Sequence, residues 1–132
     1  MLYLENQNLN FGSFNMFWLG ILCFLCLHSC VWMTTNFQFM DTTEDSFFSK
    51  LNPFWLMIAL SIPTSIFGYY AHKFCFEGLG ESAWALKFVA MGVSYIVFPI
   101  MTWILLGESM LTPKVLVSIF LSAIILWIQV NW

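Results

Sequence analysis

The chain has no arginine, and its four lysines, Lys50, Lys73, Lys87 and Lys114, are scattered over 132 residues. Nucleic acid is held by clustered cations, so a nucleic-acid partner is excluded. Charged residues of both signs make up 8% of the chain, against roughly a quarter in a soluble domain. A water-facing surface cannot be covered with so little charge, which excludes a soluble enzyme and a disordered tail. No G-x-S-x-G elbow, phosphate-binding glycine loop or carboxylate pair within an apolar run is present, so neither enzymatic activity nor a cofactor is expected. No N-x-S/T sequon occurs. Residues 1–10 hold no Lys or Arg, and no A-x-A-like site follows the first apolar run. The first apolar segment is therefore expected to remain in the mature chain.

What fills the sequence instead is apolar. Hydrophobic residues reach 61% and aromatic ones 20%, and the mean hydropathy is +0.83. A bilayer core about 30 Å thick is crossed by roughly 20 apolar helical residues. The charges leave four such gaps, about Phe14 to Met33, Leu51 to His72, Phe88 to Gly107 and Val115 onward, and with their flanking caps these predict spans at about 14–33, 53–72, 83–107 and 113–131. The expected fold is one all-α integral membrane domain, residues 1–132, with four transmembrane helices in a compact bundle and the lipid bilayer as partner. The runs are continuously apolar rather than alternating, which argues against a barrel.

Local punctuation fits these limits. Asn52-Pro53 and Thr112-Pro113 are cap-plus-proline starts, Ser82 caps the third segment and Gly107 ends it. In the loop 34–52, Asp41-Thr-Thr-Glu44 has capping-box spacing and predicts a short interfacial helix through Phe47-Phe48. Trp18, Trp32, Trp55, Tyr69-Tyr70, Trp84, Trp103, Trp127 and Trp132 lie near segment ends, as an interfacial aromatic belt does. Lys50 and Lys114 fall on one side and Lys73 and Lys87 on the other, so the positive-inside rule assigns no orientation. Ser61 with Ser65, Thr64 with Gly68, Ser118 with Ser122, and the Ala90, Gly92, Ser94 group are candidate contact faces for helices in lipid.

Few side chains carry chemistry. Cys23, Cys26 and Cys30 share a helical stripe from which His28 points away, so packing is expected there and no metal site. His28 is the ionisable group inside the first span, and such a group marks a functional position or a neutral ring bonded to a backbone carbonyl or a serine on a neighbouring helix. Lys87 stands one turn into the third span, sharing a face with Ala90 and Ser94, either lining a path or snorkelling to the headgroups. Pro63 and Pro99 interrupt the second and third spans and each removes a backbone hydrogen bond.

The string Ala85-Leu86-Lys87, Phe98-Pro99-Ile100 and Leu105-Leu106-Gly107-Glu108-Ser109-Met110-Leu111-Thr112-Pro113, followed by a last apolar helix, resembles the closing helix pair of the drug/metabolite transporter superfamily. Half-size members, among them the small multidrug resistance proteins, have four helices and about this length. The resemblance covers roughly residues 53–132, with Gly107 and Glu108 as the family-like turn. It implies a small transporter of a polar or cationic metabolite working as a homodimer. The substrate path would run by His28, Pro63, Lys87, Tyr95 and Pro99, with the prolines as hinges. One departure is plain: small multidrug resistance proteins carry a glutamate in their first helix, and here the first span offers only His28. The competing expectation is a non-catalytic membrane subunit that scaffolds or stabilises a larger complex, docking through residues 41–50.

Overall fold

The computed structural model describes the backbone of residues 2–40 and 50–131, and the side chains of 12, 14–40, 50–129 and 131. Among them there are four helices and no strand: α1 (Leu2–Asn36), α2 (Pro53–Gly78), α3 (Ala83–Leu106) and α4 (Pro113–Asn131), with a 3₁₀ turn at Phe37–Phe39 after α1. Three of them are long and apolar enough to cross a membrane, over Phe14–Phe39, Pro53–Gly78 and Ala83–Leu106. The fourth is shorter; its 19 residues measure about 28 Å at the usual helical rise. The interfacial helix expected from Asp41 to Phe48 lies outside the described residues.

The helix ends follow their chemistry. The Asn52 side chain accepts the Phe54 N–H at 2.9 Å, and Pro53 takes the first helical position of α2, where no N–H is needed. Ser82 accepts the Ala85 N–H at 3.3 Å and opens α3. The end of α2 departs from expectation. The sequence places the end of the second span at His72, before the charged Lys73, but the helix runs on to Gly78. Polar side chains on an exposed face do not stop a helix; a left-handed residue does. That residue is Gly80, at φ 64°, and the Glu81 N–H then returns to the Phe76 carbonyl at 2.9 Å, as in a Schellman motif. Glu81 is itself left-handed, at φ 62°. Gly107 ends α3 in the same region, at φ 70°. Leu79-Gly80-Glu81-Ser82 and Leu106-Gly107-Glu108-Ser109 have the same sequence but turn differently: Ser82 caps α3, whereas Ser109 accepts the Leu111 N–H inside the connecting turn at 3.2 Å.

Packing is organised around α1. It lies antiparallel to α2 in the tightest seam of the molecule and also packs on α3, while α4 packs on α3. A Cβ placed on Gly78 would stand 2.6 Å from the Phe17 backbone nitrogen, and one on Gly20 2.7 Å from that of Cys75. Only glycine permits backbones to approach so closely. The core joins Phe17 and Phe24 of α1, Ala71 and Cys75 of α2, and Val89, Val93 and Val97 of α3. Between α3 and α4 the close contact is at Gly92, where an added Cβ would stand 2.9 Å from Leu126 and Ser122 is buried.

Candidate functional site

Between that close contact and the turn that joins α3 and α4 there is a gap. The gap is a cleft of about 360 Å³, within the usual range for small-molecule sites. Tyr95, Phe98, Pro99 and Thr102 form its α3 wall; Lys114, Val115 and Ser118 form its α4 wall. Glu108, Ser109 and Met110 close the turn end. Pro99 has no N–H to offer the Tyr95 carbonyl four residues earlier, so α3 is weakened where it faces the cleft.

The hydroxyls around the cleft are largely spoken for. Thr102 donates to the Phe98 carbonyl at 2.8 Å and accepts the indole N–H of the fully buried Trp32 at 2.9 Å. Ser118 donates to the Lys114 carbonyl at 3.0 Å. Such back-bonding is how Ser and Thr satisfy themselves in an apolar helix. The Trp32–Thr102 bond ties α1 to α3 one turn past Pro99. His28 ties them on its other side: its Nε2 donates to the Ala90 carbonyl at 3.1 Å. The His28 ring stacks on Phe24, with centroids 5.9 Å apart, and meets the edge of Phe98 at 6.3 Å. His28 therefore stands behind the α3 wall and supports Phe98.

Of the residues expected along a substrate path, Tyr95 and Pro99 are brought together, and Glu108 of the family-like turn joins them. His28 is one layer removed. Pro63 lies on α2 and does not line the cleft, and Lys87 is exposed near the opposite end of α3. The expected contact faces also sort themselves. Gly92 and Ser122 are buried at the α3–α4 contact, whereas Ser61 and Ser65 face outward. Among the described residues no three His, Cys, Asp or Glu side chains are grouped closely enough to hold a metal ion. Cys75 is buried with its Sγ 3.9 Å from the Phe17 carbonyl.

Phe98, Thr102, Lys114 and Ser118 were not among the expected site residues; for Phe98, one apolar residue among many, the sequence holds no signal, but for the other three it does. Tyr95, Pro99 and Thr102 recur at i, i+4, i+7, and Lys114, Ser118 and Ser122 at i, i+4, i+8. Each series is a single helical face carrying polar groups through apolar sequence. In comparisons with known proteins, the chain matches no family model, no curated protein and no solved structure.

Proposed function

We propose that this chain is a multi-pass integral membrane protein that transports a small polar or cationic metabolite, as a homodimer, in the manner of the half-size drug/metabolite transporters that its second half resembles. The observation carrying this reading is the α3–α4 cleft. It places a carboxylate, an ammonium and aromatic faces in one concavity beside a proline-weakened helix. Aromatic faces and a carboxylate suit a cation. The membrane placement is supported by the outer faces, where Leu22, Ile62, Ile104 and Phe120 are each more than half exposed. A patchwork of that size suits lipid rather than water. The cleft is open on its outer side, and a second copy facing it would complete a path.

The test starts with purification in mild detergent and native mass spectrometry, followed by flux into proteoliposomes. A homodimer with saturable uptake that Glu108→Gln and Tyr95→Ala both abolish would support the reading. A stoichiometric set of other proteins, with no flux, would overturn it and favour the scaffold-subunit reading. The docking segment of that second reading, residues 41–50, falls almost wholly outside the described residues.

A further inference from the structure

The α3–α4 cleft holds two opposite charges that do not pair with each other. Glu108 and Lys114 both line it, and both are exposed. Among the described residues neither side chain makes an ion pair or a hydrogen bond, and the Tyr95 hydroxyl is likewise unpartnered. Thr102, Ser109 and Ser118, by contrast, are engaged with Trp32 and with backbone groups. The free recognition groups of the cleft are thus one anion, one cation and one phenol. The remaining lining, including Phe98, Pro99 and Val115, is apolar.

This combination selects by charge balance. A ligand with a single positive charge would satisfy Glu108 and cover Lys114 without a partner. A single negative charge would do the reverse. A ligand that covers part of an exposed charge displaces its water without replacing it, and only a ligand carrying both signs gives each of the two groups a partner. The charges also lie at the turn end, whereas Tyr95 stands about three helical turns along α3 from Gly107. Head and body of a bound molecule would therefore be segregated.

We propose that this cleft binds amphipathic zwitterions, with an ammonium against Glu108, an acidic group against Lys114 and an apolar body along Phe98, Pro99 and Val115. The inference rests on the transport reading for the purpose of the cleft and names its substrate class. Two sources share the chemistry: a soluble apolar amino acid and a zwitterionic phospholipid.

The test uses the full chain in detergent and three probes of nearly equal shape: leucine, 3-methylbutylamine, which lacks the carboxylate, and 4-methylpentanoate, which lacks the ammonium. Isothermal titration is expected to show leucine binding about tenfold tighter than either single-charge probe. Glu108→Gln should remove that advantage while sparing 4-methylpentanoate, and Lys114→Met should remove it while sparing 3-methylbutylamine. A merely structural role would weaken all three probes together. The lipid source has its own arm. Native mass spectrometry from nanodiscs of mixed phosphatidylethanolamine and phosphatidylglycerol should then show retained phosphatidylethanolamine on the wild type and not on Glu108→Gln. The wild-type ranking of probes and lipids stands even if a variant fails to fold. No preference for a zwitterion in either arm overturns the inference, as does a preference that survives both substitutions. Zwitterion binding without flux would uphold the cleft assignment and remove the transport reading. Flux of a monocation without zwitterion binding would do the opposite.

Discussion

Trp32 buries a whole indole between α1 and α3, and its N–H needs an acceptor there. Thr102 supplies it at 2.9 Å. Interhelical hydrogen bonds of this kind contribute about 0.6 kcal/mol on average in membrane proteins. Trp32→Phe and Thr102→Val should therefore show a coupling of roughly 0.5–1 kcal/mol in a double-mutant cycle, read by thermal unfolding in detergent. Additive effects would mean that the bond contributes nothing. His28 has a comparable part, since its ring fills the space between Phe24 and Phe98 while donating to Ala90. His28→Ala should lower stability by about 2 kcal/mol through the cavity it leaves. On the transport reading, His28→Gln, which keeps a donor, should retain flux once folded. Loss of flux in a stably folded His28→Gln would instead put the imidazole in the transport path.

At the scale of the element, the seam between α1 and α2 is set by glycine. Gly78→Ala would push a methyl group into the Phe17 backbone, since its Cβ would lie 2.6 Å away, and should cost about 1–3 kcal/mol. Gly68 lies on the same helix, but a Cβ there would meet Leu27 at an ordinary 3.7 Å. Gly68→Ala should be neutral or stabilising by up to about 1 kcal/mol, from helix propensity. Unfolding curves of the two variants side by side check the contrast. The prolines make a second pair. Pro99→Ala restores an N–H for the Tyr95 carbonyl, so α3 should gain stability, and on the transport reading proteoliposome flux should slow. Pro63→Ala restores the same kind of bond in α2, away from the cleft, and should leave flux unchanged. Equal effects on flux would detach the hinge from the cleft.

For the whole molecule, the arrangement of helices matters more than their number. α4 packs on α3, and the cleft lies between the Gly92–Ser122 contact and the turn that joins the pair. Gly92→Leu should drive α4 off α3, open the cleft and abolish ligand binding, with helical circular dichroism preserved. Binding that survives this change would place the site elsewhere. Association belongs to the same scale. The transport reading expects a homodimer by native mass spectrometry, whereas the scaffold reading expects partners that are lost on deleting residues 41–50.

Much of this was determined locally, and so was legible in the sequence. Asn52-Pro53, Ser82, Gly107 and Pro113 are start and stop signals whose effect depends on neighbours within a turn. The four helices and their limits at those positions follow from them. The overrun of α2 past His72 was hidden because charge is a weak stop and the left-handed Gly80 a strong one. Which faces meet was decided only in three dimensions. Gly20 and Gly78 resemble any other glycines in the chain, and Ser61 and Ser65 have the same spacing as Ser118 and Ser122. Burial depends on what lies opposite a face, which no single helix encodes. For the same reason Tyr95, Pro99 and Glu108 were visible one by one, while their union with Lys114 required α4 to fold back along α3.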